Sequence, residues 1–182
     1  MLSPQGRVVL ISGANRGIGL SIARALMSAG YSLSLGVRDV ATMETLEPSW
    51  DPERCFVRPY DAQDHETHMR WIEDTVTHYG RIDGLVNNAG IARRVDLEDI
   101  DDTALDDLWS TNVKAPLSMT RKALPHLRRS GSGRVVNIAS MAGKVVFDSG
   151  IGYSMSKFAL VALSHATRHA GWEDGVRCTA LC

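Results

Sequence analysis

The 182-residue chain lacks an excess of charge of either sign: 20 Lys and Arg stand against 21 Asp and Glu, a formal net charge of −1. The two signs are interspersed, and without a basic block nucleic acid is not expected as a partner. A long apolar run is also missing. Residues 1–10 hold one Arg and a short apolar tract, too short for a signal peptide or a membrane span. Cysteine is scarce. Cys55, Cys178 and Cys182 form no CxxC and no metal-ligand spacing, which reads as reduced thiols in a cytoplasmic protein. There is no solenoid repeat and no low-complexity tract. His65 and His68, and His165 and His169, have spacings that put each pair on one helix face. Solvated helix surface is the expectation for both, and no metal site is expected. His65-Glu66-Thr67-His68 is not HExxH, because the second His comes one residue early.

What is present is an alternation. Short, nearly all-apolar, β-branched runs at 8–11, 31–37, 54–60, 82–87, 134–139 and 176–181 are separated by amphipathic stretches. The first of these, 18–28, has helical spacing through Ile18, Ile22, Ala25 and Leu26, and Gly30 follows as a stop. A short helix is expected over 39–46. The stretch 64–79 reads as a helix with Met69, Ile72 and Val76 inward. A long helical stretch over 103–129 is expected to break at Pro116 and Pro125, and another helix covers 152–169. Apolar strands alternating with helices imply an α/β fold. We expect a doubly wound parallel sheet of Rossmann type with strand order 3-2-1-4-5-6, open to continuation beyond Cys182, and one domain over 1–182. The chain stops at the sixth strand with no helix to cover it, so a longer chain with a C-terminal substrate segment is expected.

The first strand runs into Ser12-Gly13-Ala14-Asn15-Arg16-Gly17-Ile18-Gly19, and a helix follows at once. Glycines here let backbone approach a ligand and let the helix pack tightly. The helix start offers free N–H groups and a positive dipole end to a pyrophosphate. Their placement between a strand and a helix points to dinucleotide binding, and it is not a P-loop, because no Gly-Lys-Ser/Thr follows. Which dinucleotide depends on the end of the second strand, Leu35-Gly36-Val37-Arg38-Asp39. With Val37 last in the strand, Arg38 opens the loop, and Arg16 lies on the same side of the ribose. Two guanidiniums converging there favour a 2′-phosphate, hence NADP. The alternative is NAD, with Asp39 bonding a 2′-hydroxyl.

Tyr153-Ser154-Met155-Ser156-Lys157 opens the helix near residue 152, and i,i+4 spacing puts Tyr153 and Lys157 on one face. A free tyrosine, with a pKa of about 10, is a poor base at neutral pH. A neighbouring ammonium favours the phenolate, so such a pair can exchange a proton with a carbonyl or alcohol oxygen. Ser140 ends the fifth strand at the carboxyl edge, where a ligand is expected, and its hydroxyl could hold the substrate oxygen.

The glycine loop, Asn87-Asn88-Ala89-Gly90 after the fourth strand, Asn112, Ser140, Tyr153 and Lys157, in this order, resemble the short-chain dehydrogenase/reductase family across essentially the whole chain. The resemblance implies an oxidoreductase that moves a hydride between NADP(H) and a small-molecule carbonyl or alcohol. Tyr153 would be the acid/base. Lys157 would favour its phenolate and hold the nicotinamide ribose, and Ser140 would orient the substrate oxygen. Asn112 would join a proton relay through water. Gly13, Asn15, Arg16, Gly17, Ile18, Gly19 and Arg38 would bind the cofactor, with Asp61 and Ala62 at the adenine and Asn88, Ala89 and Gly90 along the adenosine side. Asn112 has a further physical argument: its helical acceptor role would need the N–H of residue 116, which is a proline, so its carbonyl is left open to water. The chain departs from common family members in having Ser12 where they have Thr and Asp61-Ala62 where many have Asp-Val.

Loops 91–100 and 141–151 should border the substrate. Val145, Val146 and Phe147 would wall an apolar pocket, and Arg93, Arg94 and Lys144 are read as solvated charge. Leu105, Leu108, Trp109, Phe158, Leu160 and Leu163 supply apolar surface shared between the core and a helix-helix interface of the kind most relatives use. A homodimer or homotetramer is expected, and no membrane.

Overall fold

In the computed structural model, which describes residues 2–182 without the side chain of Glu44, six parallel strands form one sheet in the order β3-β2-β1-β4-β5-β6. They are β1 (Val8–Ser12), β2 (Ser32–Val37), β3 (Cys55–Pro59), β4 (Gly84–Asn87), β5 (Arg134–Ile138) and β6 (Arg177–Leu181). The helices are α1 (Gly17–Ala29), α2 (Ala41–Leu46), α3 (His65–Tyr79), α4 (Thr103–Trp109), α5 (Ala115–Arg129) and α6 (Ile151–Gly171). The doubly wound fold and its strand order are those expected from the sequence.

β1 shows why the central strand is nearly all apolar. Val8 and Leu10 enter one core with Trp71, Leu85, Met119 and Val135; Val9 and Ile11 enter the other with Ala23, Leu33, Leu35 and Val86. A strand covered on both faces has no polar side. Each such side chain contributes about 1.5–3 kcal/mol by leaving water. The strand order reverses between β1 and β4, and the carboxyl ends there open the crevice in which this fold binds ligands.

Three readings of helix phase are corrected. In α3 the inward residues are His68, Trp71, Ile72 and Thr75, while Met69 is exposed. Residues 68, 71, 72 and 75 follow the i, i+3, i+4, i+7 rule of one helix face, and Met69 lies off it. His68 is therefore buried and not solvated surface; His65, His165 and His169 are exposed as expected. In α1, Gly19 and Ala23 are buried, and Ala25 faces out. Among the described residues no group of His, Cys, Asp and Glu is arranged to hold a metal.

The long stretch after residue 103 breaks differently from the expectation. Between α4 and α5, residues Ser110–Lys114 are wound as a π-helix, with Ala115 N–H bonded to the Ser110 carbonyl. The wider turn ends at Pro116, whose missing N–H prevents regular α winding through Asn112. Pro125 does not break α5, which continues to Arg129. Pro125 and Arg121, one turn earlier, are both exposed, so the carbonyl that loses its partner faces solvent.

Candidate functional site

At the carboxyl ends of β1, β2 and β4 lies a cleft of about 650 Å³. The glycine loop forms its floor. Gly13 and Gly17 have φ of +67° and +53°, backbone that side-chain-bearing residues rarely adopt. A Cβ on Gly17 would meet no atom within 4 Å, so the loop is bare there. Arg16 stands at the N-cap of α1 with extended backbone. Among the described residues no side chain caps this helix start, and no acidic residue lies in its first turn. The positive helix end is left to whatever occupies the cleft.

The loop is fixed from the β4 side. Asn88 Nδ2 donates to the carbonyls of Ser12 and Gly13 at 2.8 and 3.0 Å, and the Ser12 hydroxyl accepts from Asn88 N and Ala89 N, each at 3.0 Å. Gly13, Asn15, Arg16, Gly17, Ile18, Arg38, Asp61, Ala62, Asn88, Ala89 and Gly90 all line the cleft. Gly19 does not. It is buried, and a Cβ there would collide with the Gly13 carbonyl and the Asn88 amide, so its role is close packing of α1 under the loop.

Arg38 and Asp39 diverge. Arg38 lines the cleft, whereas the Asp39 carboxylate accepts from Ala41 N at 3.1 Å and from Thr42 Oγ1 at 2.9 Å, closing the start of α2. Sequence reasoning missed Gln63, Asp107 and Thr111 on the cleft wall. Gln63 Nε2 reaches Asp107 Oδ1 at 3.2 Å and Thr111 Oγ1 at 3.4 Å. The i,i+4 spacing of Asp107 and Thr111 was the available signal.

Beyond Gly90 the cleft leads toward α6. Lys157 is buried, and its Nζ donates to the Ile138 carbonyl at 2.9 Å and lies 5.6 Å from the centroid of the Tyr153 ring. Burial pushes the Lys157 ammonium down to about 8. A Cβ on Gly90 would sit 3.2 Å from Asn112 Oδ1 and 3.7 Å from Lys157 Nζ, so the bare glycine lets the amide and the ammonium approach one point. Asn112 is buried in the π turn. It accepts from Ile91 N and donates to Ile91 O, both at 2.9 Å, and donates to Ser156 Oγ at 3.1 Å. Ser140 follows β5, where its hydroxyl accepts from Ala142 N at 3.1 Å.

The outer rim is apolar. Met141, Val145, Val146 and Phe147 are exposed on one loop and Leu97 and Ile100 on the other. Arg93 and Arg94 belong to local ion pairs: Arg93 lies 3.6 Å from Asp107, and Arg94 makes a two-pronged bond to Asp96 at 2.7 and 2.8 Å.

A model of the short chain dehydrogenase family matches residues 7–182. The chain belongs to the short-chain dehydrogenase family. It is 45% identical to agropine synthesis reductase of Rhizobium rhizogenes over 98% of its own length and 41% of that protein. It is 33% identical to an uncharacterized oxidoreductase of Thermotoga maritima, over 98% of this chain and 71% of that one. The crystal structure of a short-chain dehydrogenase from Streptomyces avermitilis superposes with a TM-score of 0.90 at 33% identity, covering 96% of this chain and 64% of the other. The chain thus spans well under half the length of the agropine synthesis reductase it matches. The family is one of oxidoreductases that use NAD(P).

Proposed function

We propose that this short-chain dehydrogenase transfers a hydride between NADP(H) and a carbonyl or alcohol carbon. The observation that carries the reading is the approach of the Lys157 ammonium and the Asn112 amide to Gly90, on the path from the cleft to Tyr153. In this reading Tyr153 gives its phenolic proton to the carbonyl oxygen, or takes one from the alcohol. Lys157 favours the phenolate and holds the nicotinamide ribose. Ser140 orients the substrate oxygen, and Asn112 belongs to a water-borne relay of the proton to solvent. The nicotinamide, when bound, gives or takes the hydride.

The residues present suit NADP. The uncapped start of α1 and the bare loop at Gly17 fit a pyrophosphate. Arg16 and Arg38 line the cleft where a 2′-phosphate would lie, while Asp39, which NAD would require, is engaged at α2. Asp61 and Ala62 hold the adenine, and Asn88 to Gly90 the adenosine side. The apolar rim of Met141, Val145, Val146 and Phe147 favours an apolar substrate. Met155 and Phe158, exposed on α6, fit self-association into a homodimer or homotetramer. The reading includes a cytoplasmic setting, with Cys55, Cys178 and Cys182 as free thiols.

The test is titration with NADPH and NADH followed by nicotinamide fluorescence, together with Tyr153→Phe. Tighter NADPH binding is expected. Tyr153→Phe is expected to lose about 10²–10⁴-fold in kcat and to keep its NADPH affinity. Tighter NADH binding would return the ribose to Asp39, and binding of neither would leave a protein that senses some other ligand. A Tyr153→Phe variant that kept most of its turnover would end the acid/base assignment.

A further inference from the structure

One buried titratable side chain takes no part in the reaction proposed above. His68 lies in the first turn of α3 and is fully buried. Its Nε2 is 2.9 Å from the carbonyl oxygen of Asp61, and its Nδ1 is 3.0 Å from Ser118 Oγ in α5. A carbonyl oxygen can only accept, so Nε2 carries the proton, and Nδ1 accepts from the Ser118 hydroxyl. That is one tautomer of the neutral ring, and burial holds His68 below the ordinary histidine pKa. The imidazole also lies against Tyr60, with centroids 5.0 Å apart and 26° between the planes.

The residue before it holds the other main-chain polar group of Asp61. Thr67 Oγ1 accepts from Asp61 N at 3.1 Å and donates to the Asp64 carbonyl at 2.6 Å. One turn of α3 therefore fixes both main-chain polar groups of Asp61. The Asp61 side chain is constrained in turn, because its Oδ1 accepts from Gln63 N at 3.0 Å. Tyr60, Asp61, Ala62 and Gln63 together form one wall of the cleft. Filling the space under this wall would need only an apolar side chain, since buried positions ordinarily hold one. A histidine at this depth adds a donor aimed at one carbonyl and a ring that reads out α5 through Ser118.

We infer that His68 is a positioning residue for adenine recognition, clamping the Asp61 carbonyl so that Asp61 is presented to the adenine ring of the dinucleotide. The inference rests on the reading of Asp61 as the adenine contact. It adds a residue outside the cleft that acts only through the turn it holds. An adenine amino group donates to a carboxylate; the carbonyl of hypoxanthine at the same ring position does not. The clamp therefore matters to one base and not to the other.

The experiment is calorimetric titration of NADPH and of its hypoxanthine analogue into the wild type, His68→Leu and His68→Gln. The wild type is expected to prefer the adenine cofactor. His68→Leu, which fills the site without a donor, is expected to weaken NADPH on the order of tenfold and to leave the hypoxanthine analogue nearly unchanged. His68→Gln, whose amide keeps a donor, is expected to restore most of the preference, and kcat at saturating cofactor stays as in the wild type. Equal weakening of both cofactors in His68→Leu, or a preference that survives it, overturns the role of His68 alone. A wild type with no preference for adenine overturns the Asp61 contact and this inference with it. If His68→Leu does not fold, His68→Met, a flexible apolar side chain that fills the site without a donor to the Asp61 carbonyl, makes the same comparison, and the same fall in preference is expected; an unchanged ratio there also overturns the proposal.

Discussion

The Lys157 ammonium donates to the carbonyl of Ile138 at 2.9 Å, a bond that pins α6 to the carboxyl end of β5, two residues before Ser140. The two segments are close enough that a Cβ on Gly143 would lie 2.7 Å from the Lys157 carbonyl oxygen. The helix that carries Tyr153 and the turn that carries Ser140 are therefore positioned against each other by backbone contact and by the lysine itself.

This bond leaves Lys157 buried, and burial lowers its pKa from an ordinary 10.5 to about 8. Above that pH the free protein loses the positive charge that favours the phenolate. We expect kcat/KM for carbonyl reduction, which reports the free enzyme, to fall on an alkaline limb with its midpoint near 8. Stability runs the other way. Between about 8 and 10.5 the unfolded chain holds the proton and the folded chain does not. The cost of burying this ammonium, present in full below the folded pKa, is therefore relieved as pH rises through that window. A pH profile of kcat/KM that stayed level across the window would remove Lys157 from the reaction.

Arg16 and Arg38 are expected to act on NADPH alone. Each would make charge-assisted bonds to a 2′-phosphate, so Arg38→Ala should weaken NADPH by about 10–100-fold and change NADH by less than about twofold. Asp39→Ala should leave the preference as it was, because that carboxylate is bonded to Ala41 and Thr42 in α2. Dissociation constants for both cofactors in the three proteins decide the matter. Loss of NADH binding in Asp39→Ala would transfer the ribose contact to the aspartate.

The sheet, its order and the strand-loop-helix at Gly13 were legible because their signals are local: apolar runs of strand length, and glycines between a strand and a helix. Gly19 was legible only as one of the loop glycines. That it packs beneath the loop, against the Gly13 carbonyl, depends on Asn88, 69 residues away, just past the end of β4. The phase of α3 was not legible either, since Met69 and Trp71 are both apolar and the choice between them is made by the neighbouring strand. Trp71 wins because Gly36 in β2 leaves room for its ring and Ser34 accepts its Nε1–H at 2.8 Å. His68 follows into the core as a consequence of that phase.

Gly36 should therefore be coupled to Trp71. A Cβ at residue 36 would stand 2.7 Å from two atoms of the Trp71 ring and 2.9 Å from Tyr60 Cβ. Gly36→Ala is expected to destabilise the fold by about 1–3 kcal/mol through overpacking, which for a chain of this size lowers Tm by roughly 3–10 °C. In a double-mutant cycle with Trp71→Phe, the combined loss should be smaller than the sum, by about 1 kcal/mol. Strict additivity in thermal or denaturant unfolding would mean that the strand and helix absorb the methyl by moving apart.

The two loops that border the substrate side are latched to each other. Asp96 and Gly150 form an antiparallel bridge, Arg94 adds a bond to Ser149 at 3.2 Å beyond its pair with Asp96, and Ser149 donates to Asp96 at 2.9 Å. All three side chains are near the surface, where ion pairs contribute little to global stability. Arg94→Ala should therefore leave Tm nearly unchanged while amide exchange across residues 145–150 accelerates. If the apolar residues of that loop wall the substrate, KM for an apolar carbonyl compound should rise by less than about fivefold with kcat unaltered, since only the ordering of the wall is lost. A fall in kcat with KM unchanged would instead assign Arg94 to the reacting centre, which its bonds to Asp96 and Ser149 argue against.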